Sequence, residues 1–325
     1  MADLDAVLRT IITERLGSDL ISAAPLDGGY SGAALYRARV RRFDTEQDVV
    51  VKFNPPPLHG PPSISPDDTT GRIYSDRAWS IGHVHALLRA RGLPTYDLLA
   101  YEPPTGDMPY YWVVMSALEG VSVREHLHYG DGPDLEGLHR AADDALGAMH
   151  AIKRAYDGPV DLEAPYQQDW AGAFFGELER LLGQALAVDN PALCGQEARL
   201  RAFVETHRQG WVAAREYVLS HFDGLQAMAA HDGRRWVITG HLDLEDFGFT
   251  DARWPLAGYE LGVEDVDRRR RVPGAFWEGY RAHKADDPSF EAVRQVFKLF
   301  YLLDWCQMGY EPAGRAILDL VTGAW

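Results

Sequence analysis

The chain contains little cysteine and no long apolar run, and each shortage excludes a class of protein. Its 325 residues include 2 cysteines, Cys194 and Cys306, without the paired spacing of a zinc site, so neither a disulfide framework nor a cysteine-based metal site is expected. Apolar runs such as Tyr110 to Met115 fall far short of the roughly 18 residues that cross a bilayer. The N-terminus carries acidic residues where a signal peptide would be positive. These features predict a cytoplasmic protein without a membrane partner.

Positive charge is also scarce, which argues against nucleic acid as a partner. Lys and Arg together number 32 against 48 Asp and Glu, so the formal net charge is −16. A chain this acidic repels a phosphate backbone. Four consecutive arginines, residues 268–271, follow Glu264, Asp265 and Asp267. We interpret them as a locally neutralised, solvated segment.

The apolar periodicity changes near residues 115–120, which separates a strand-rich first third from a mainly helical remainder. At roughly 150 residues per domain, the length also indicates about two units. Predicted strands cover residues 34–40, 48–53, 98–101 and 111–115. Predicted helices cover residues 4–16, 76–91, 138–152, 170–185, 200–218 and 290–301. Residues 54–75, with six prolines, are predicted to form a long loop, and Asp232-Gly233 a hairpin turn.

A glycine-rich hairpin followed by a lysine suits the binding of a nucleotide. Glycines in residues 28–32 let backbone amides approach phosphate oxygens closely. The candidate nucleotide-binding residues of this hairpin are Gly29, Ser31 and Gly32. Lys52, near the end of the strand over 48–53, can reach the phosphates beneath the hairpin. Taken singly, these features are an ordinary turn and an ordinary lysine, so their order carries the prediction.

Two aspartates far downstream complete the set that phosphoryl transfer needs. Asp223 can accept the proton of an attacking hydroxyl, with His221 holding its loop. Asp243 is a hard oxygen ligand suited to Mg²⁺. The two aspartates are more readily explained by such a role than by a plain surface position, because they follow the hairpin and the lysine in order.

These motifs resemble those of the aminoglycoside phosphotransferase-like family, which includes antibiotic, choline and methylthioribose kinases. The resemblance covers nearly the whole chain. Residues 26–37 look like the family's nucleotide-covering loop, and Val51-Lys52 looks like its phosphate-binding lysine. His221-Phe222-Asp223 is similar to the His-Gly-Asp catalytic loop, and residues 242–245 are similar to the Ile-Asp-Trp-Glu metal segment.

The resemblance implies an α+β, bilobal protein-kinase-like fold. Residues 1–117 would form a small antiparallel-sheet N-lobe that binds nucleotide, and residues 118–325 a larger, mainly helical C-lobe with the catalytic loop and substrate cleft. Backbone groups near Met115 and Ala117 would meet adenine at the hinge. The implied cofactors are ATP, with GTP as the alternative, and Mg²⁺. The implied activity is transfer of the γ-phosphate to a hydroxyl of a small molecule, such as an aminoglycoside-like antibiotic or a metabolite, by a monomer or homodimer.

The chain departs from the family pattern at positions that matter for metal and phosphate. Met228 stands where the family has its second metal-binding asparagine, and a thioether is a soft ligand that does not hold Mg²⁺. Gln226 and Glu245 are the candidate replacements. The helix that normally supplies a glutamate to the lysine leaves Asp76, at its start, as the candidate partner for Lys52. These departures keep open a second hypothesis, a kinase-like protein that binds nucleotide or ligand with weak or no phosphotransfer.

An acidic cluster follows the metal segment, where the resembled family borders its substrate cleft. The candidate substrate residues are Glu245, Asp246, Glu260 and Glu264. Acidic side chains there suit a cationic acceptor, such as an amino sugar or a basic peptide. An equally weighted interpretation is that acids are common everywhere in this chain.

Overall fold

The structure of the chain, a computed structural model, describes most of the sequence. The described residues are 4–26, 33–54, 80–102, 105–108, 110–129, 135–166, 169–214, 216–264, 271–284 and 287–325. The predicted glycine-rich hairpin with Gly29, Ser31 and Gly32, the proline-rich residues 55–75, and Asp76 lie outside these ranges. Within them, no helix is long and apolar enough to cross a bilayer.

The first part of the chain forms an antiparallel five-stranded sheet in the order β1-β2-β3-β5-β4. Its elements are α1 (Leu4–Thr10), β1 (Asp19–Pro25), β2 (Ala34–Arg42), β3 (Thr45–Asn54), α2 (Ile81–Ala90), β4 (Leu98–Glu102) and β5 (Tyr111–Ser116). Apolar side chains from α1 and its π-helical continuation, Ile11–Arg15, share one core with inward positions of β3 and β5. The alternation that predicted β2 therefore reflects one face on this core and one face outside it. β5 is buried on both faces, with alternate residues in this core and in the larger core of the helical part.

The second part is mainly helical, with two small sheets among its helices. Its helices are α3 (Val123–Tyr129), α4 (Leu135–His150), α5 (Trp170–Ala187), α6 (Glu197–Gln209), α7 (Arg253–Val263), α8 (Gly274–His283), α9 (Phe290–Gln307) and α10 (Glu311–Thr322). Its strands are β6 (Val121–Ser122), β7 (Lys153–Arg154), β8 (Gly158–Pro159), β9 (Tyr217–His221), β10 (Ala227–His231), β11 (Trp236–His241) and β12 (Phe247–Asp251). The sheets have the orders β11-β10-β6 and β7-β9-β12-β8. This α+β arrangement is the predicted fold class.

The chain passes from the five-stranded sheet to the helical part between Ser116 and Val121. Gly120 has a φ of +106°, and a Cβ there would collide with the carbonyl of Ala229 on β10. The side chain of Thr239 on β11 donates a 2.7 Å hydrogen bond to the carbonyl of Glu119. The connecting segment is thus fastened to the β10–β11 hairpin, whose turn contains the predicted Asp232-Gly233 pair.

The sequence analysis extended one helix too far and omitted an edge strand. The predicted helix over 200–218 ends with α6 at Gln209, and Val218 lies in β9. Val218 is buried as a strand residue, so its apolar side chain continued the helical spacing by coincidence. β1 was not predicted, because it is an edge strand with mostly exposed side chains and therefore lacks alternation.

Among the buried histidines of the helical part and its sheets, His139, His150 and His241 are kept neutral by burial. Loss of hydration lowers the pKa of His139 to about 4, of His150 to about 3 and of His241 to about 4, from an ordinary 6.5. His150 Nδ1 lies 2.7 Å from the Tyr280 hydroxyl, and its Nε2 lies 3.2 Å from Ser220 Oγ. As the pH falls, these histidines take up protons in the unfolded chain before they do so in the folded protein. Their contribution to the free energy of unfolding is therefore fully present above about pH 6.5 and is lost toward pH 4.

Replacing His150 with glutamine should flatten this acid dependence. A glutamine keeps hydrogen-bonding atoms but does not titrate. For each pH unit of acidification near pH 5, the free energy of unfolding of the variant should therefore fall by about 1.4 kcal/mol less than that of the wild type. Urea unfolding at a series of pH values measures this slope. The exposed His83→Gln change on α2 is the control and should leave the slope as in the wild type. Equal slopes for wild type and H150Q would contradict the expectation.

Candidate active site

Lys52 on β3 meets the segment after β11 in a buried pair of salt bridges. Its Nζ lies 2.6 Å from Asp243 Oδ1 and 2.6 Å from Glu245 Oε1. The Lys52 side chain is 8% exposed and that of Glu245 3%, whereas 41% of the Asp243 side chain is exposed. Glu245 is therefore a buried partner of Lys52, whereas Asp76, the candidate partner of the sequence analysis, lies outside the described residues. α2, which carries no acidic residue, packs against the turn Leu244–Asp246 that supplies Glu245.

The charges of this cluster shift the pKa values of Lys52 and Asp243 in opposite directions. Burial alone would lower the pKa of Lys52, but the carboxylates of Glu245, Asp243 and Asp246 outweigh it and raise that pKa well above its ordinary value. Burial would raise the pKa of Asp243, but the nearby ammonium of Lys52 lowers it below its ordinary value, and Arg124 contributes in the same direction. Lys52 is thus a fixed cation and Asp243 a fixed anion, so neither serves as a proton carrier.

Asp243 has a backbone conformation that few residues with side chains adopt. Its φ of +51° and ψ of +50° are left-handed, and Phe43 is the one other non-glycine residue with a positive φ among the described residues. This conformation is disfavoured for an L-residue, although aspartate tolerates it better than most. Residues held this way cluster at functional sites, and here the conformation directs the carboxylate toward Lys52.

Two main-chain hydrogen bonds bring the loops of Asp223 and Asp243 together. Leu242 N–H donates to the carbonyl of Gln226 at 3.0 Å, and Phe222 N–H donates to the carbonyl of Asp246 at 3.2 Å. In addition, His221 at the end of β9 pairs with Phe247 at the start of β12. The loop after β9 and the turn after β11 are therefore joined at both ends, although their aspartates are 20 positions apart.

His221 lies beneath the catalytic-loop candidate and holds its backbone. Its Nδ1 accepts a 2.9 Å hydrogen bond from the backbone N–H of Asp223. The ring is 1% exposed, and burial lowers the pKa of His221 although the carboxylates of Asp223, Asp243 and Glu245 oppose the effect. Because Nδ1 accepts, the proton of the neutral ring is on Nε2. His221 thus holds the backbone of this loop, and its part in catalysis stays a prediction.

Asp223 is exposed and lines an open cleft between its own loop and three helices. The described lining residues are Val123, Arg124, Leu127, Asp223, Leu225, Gly258, Tyr259, Gly262, Val263, Tyr301 and Trp305. The Tyr301 hydroxyl donates a short hydrogen bond to the carbonyl of Phe222, which ties α9 to the loop. Sequence reasoning missed Arg124 and Tyr301, because no motif marks either of them.

The main-chain pairing places Gln226, and not Met228, beside the Asp243 segment. Gln226 is bonded through its carbonyl to Leu242, the residue before Asp243. Met228 lies two residues farther along, in β10, opposite Gly240 and Ser122. Gln226 is thus the nearer of the two to Asp243 along the main-chain pairing, and its role as a metal ligand stays a prediction.

The predicted hinge residues lie where β5 leaves the sheet. Met115 is buried in β5, opposite Val50 and Leu98. The Ala117 N–H makes a long hydrogen bond of 3.4 Å to the carbonyl of Asp48. Both residues belong to the stretch that joins the five-stranded sheet to the helical part.

The predicted acidic substrate residues do not line the cleft. Glu245 pairs with Lys52, Glu260 lies 3.1 Å from Arg294 and 3.2 Å from Lys298, and Glu264 lies 2.6 Å from Lys298. Glu245, Glu260 and Glu264 are each at most 5% exposed. Asp246 is half-buried near Lys52. Each of these three buried glutamates is thus held by a cation, because an unpaired carboxylate inside the protein would lose too much hydration.

Comparisons with known proteins bear on the family and on the fold. A family model described as the phosphotransferase enzyme family matches residues 23–281. Comparison with curated protein sequences gives no match. Among solved structures, aminoglycoside phosphotransferase APH(4)-Ia is similar over 99% of both chains, with a TM-score of 0.62 and 11% identity.

Two further solved structures show the same similarity. A thermostable mutant of APH(4)-Ia, in a ternary complex with ADP and hygromycin B, matches over 95% of this chain and 96% of its own, with a TM-score of 0.62 and 12% identity. The aminoglycoside-3'-phosphotransferase of type VIII matches over 93% and 98%, with a TM-score of 0.54 and 18% identity. At these identities the likeness shows a shared fold.

Changing Glu245 to glutamine tests the buried ion cluster. The change keeps the size of the side chain but leaves Lys52 with one close carboxylate, so we expect the free energy of unfolding to fall by about 2–3 kcal/mol. Urea unfolding at pH 7.5 measures the loss. Glu46→Gln, in the exposed pairs with Arg39 and Arg41, is the matched control and should change stability little. Equal losses in the two variants would show that the cluster does not stabilise the fold.

Proposed function

Because the chain belongs to the phosphotransferase enzyme family, we propose that it transfers the γ-phosphate of ATP to a hydroxyl group of a small molecule. The observation that carries this proposal is the arrangement of Lys52, Asp243 and the cleft of Asp223. A fixed cation and an exposed carboxylate meet beside a cavity with a second exposed carboxylate. Phosphoryl transfer requires such groups, because its catalysis is mainly positioning and charge stabilisation.

Asp223 orients the acceptor hydroxyl and accepts its proton as the oxygen attacks phosphorus. Its exposed side chain lines the cleft, and the backbone contact from His221 holds its loop. General-base catalysis of this kind contributes typically ~10²–10⁴ in rate. His221 acts through Asp223 and is a positioning residue.

Lys52 binds the phosphates of the nucleotide, with Glu245 as the anion that keeps it in place. The two salt bridges hold the ammonium at the edge of the cluster, and phosphate oxygens replace part of the contact with Asp243. Backbone groups of Met115 and Ala117 bind adenine, and Gly29, Ser31 and Gly32 cover the phosphates. GTP is the alternative donor.

The residues present fit a magnesium ion that is shared with the nucleotide. Among the described residues there is no cluster of three or more His, Cys, Asp or Glu that would hold a metal alone. Mg²⁺ bound to a nucleotide needs fewer protein groups, because it keeps several waters and takes one or two carboxylates plus phosphate oxygens. Asp243 and the amide oxygen of Gln226 are the groups that would hold it. When bound, the ion neutralises charge on the phosphates.

Asp223→Asn should lower the turnover number by ~10²–10⁴ and leave ATP binding unchanged, because the amide cannot accept the hydroxyl proton. Release of ADP across a panel of hydroxyl compounds measures turnover, and calorimetry with ATP and Mg²⁺ measures binding. Asp189→Asn, at an exposed aspartate distant in the chain, is the control. Turnover in D223N equal to that of the parent would remove Asp223 from this role. Tight ATP binding by the parent without ADP formation from any acceptor would instead favour the kinase-like binding protein.

Gln226→Ala should raise the Mg²⁺ concentration needed for half-maximal turnover by about tenfold, since one oxygen near the ion is lost. Met228→Asn should change that concentration little, because Met228 lies in β10 and not beside Leu242. Magnesium titrations of the two variants at saturating ATP make the comparison. A strong effect of M228N together with none from Q226A would show that the family register applies after all.

A further inference from the structure

If Asp223 receives the acceptor hydroxyl, the walls of its cleft determine which acceptors can enter, and the inference that follows rests on the proposed function. Apolar and aromatic side chains make up most of the described wall, among them Leu127, Leu225, Val263 and Trp305. A wall of this kind buries the apolar body of a ligand. A polycationic amino sugar would lose hydration against it without gaining partners.

The acids that would attract a cationic acceptor are engaged elsewhere. Glu260 and Glu264 on α7 pair with Lys298 on α9, and Glu245 pairs with Lys52. Asp304, the acid beside Trp305, is half-buried and accepts a hydrogen bond from Gln307. Burial raises the pKa of Asp304, which weakens it as a cation site. Asp223 is the one carboxylate among the described lining residues, and the proposed transfer itself requires it.

Arg124, at the start of the cleft wall formed by α3, is the one basic residue among the described lining residues. It is half-buried, and no described carboxylate forms a salt bridge with it. Its positive charge helps to lower the pKa of Asp243, and its side chain lines the cavity together with Asp223. A guanidinium forms two parallel hydrogen bonds with a carboxylate, which gives it both affinity and orientation for such a group.

We propose that the acceptor is an amphipathic hydroxyl compound with an apolar or aromatic body and a carboxylate that pairs with Arg124. The body packs on Leu127, Val263 and Trp305, and the hydroxyl faces Asp223. The sequence analysis predicted a cationic acceptor from its acidic cluster, whereas this proposal gives the acceptor a negative charge. A role of Arg124 on the transferred phosphoryl group is the competing explanation that the experiment must separate.

Three probes with one aromatic body and different charge make the test. They are 4-(hydroxymethyl)benzoate, 4-(hydroxymethyl)benzamide and 4-(hydroxymethyl)benzylamine, with hygromycin B as a polycation. Turnover is followed as ADP release at saturating ATP and Mg²⁺. Binding of each probe is measured by calorimetry on D223N, which does not require transfer. We expect the benzoate to be used best, with kcat/KM about tenfold or more above that of the benzylamine.

Arg124→Ala should weaken binding of the benzoate by ~10–100-fold and leave binding of the benzamide within about twofold. Arg124→Lys should restore part of the loss, and Arg140→Ala, at an exposed arginine on α4, is the control that should change neither. Gly262→Leu provides a second variant, because a Cβ at Gly262 meets no atom within 4 Å and the larger side chain enters the cleft. It should weaken binding of both aromatic probes and spare ATP.

The outcomes separate this inference from the proposed function. Benzoate binding that depends on Arg124, without transfer to any probe, would support the inference and contradict the proposed phosphotransfer. Transfer that favours the benzylamine or hygromycin B would overturn the inference and support phosphotransfer. An equal fall in kcat for all probes in R124A, with binding unchanged, would assign Arg124 to the phosphoryl group and also overturn it. Failure of the benzoate to bind D223N at millimolar concentration would overturn it as well.

Discussion

The contact of Lys52 with Asp243 and Glu245 is the interaction on which the site depends. A lysine this deeply buried must be compensated, and both of its close acids come from one short turn after β11. The five-stranded sheet and the helical part are therefore joined by charge at the position where the nucleotide phosphates are proposed to bind. A movement of this turn would remove both partners of Lys52 at once.

Charge inside this protein is balanced locally, in contrast to the net charge of −16 that the whole chain carries. Lys298 lies between Glu260 and Glu264, and the buried Arg253 pairs with Asp251. These interior acids are held by cations because the interior solvates charge poorly. The excess of acid consequently lies on the surface, where it affects solubility and long-range attraction rather than the chemistry of the cleft.

Much of the fold was predictable because it follows from local periodicity. The strand β2 alternates between a core face and an outer face, and the helices α4 and α5 carry one apolar stripe each. β5 is a short apolar run that is buried on both faces. β1 was missed because an exposed edge strand has no alternation, and α6 was extended too far because Val218 matched the helical spacing by chance. The positions of Gln226 and Met228 depend on strand register, which sequence alignment alone does not fix.

The sequence by itself determined the family and the order of the lysine and the two aspartates, because these depend on motifs of a few adjacent residues. Tertiary structure alone decided which acids are buried in salt bridges and which are free to contact a ligand. Glu245 and Lys52 are 193 positions apart, so nothing in the local sequence of either distinguishes a buried partner from a ligand for substrate. Likewise, Arg124 acquires its meaning from helices that follow it by more than 130 residues. Pairing between distant charges is set by packing, and packing is a property of the whole chain.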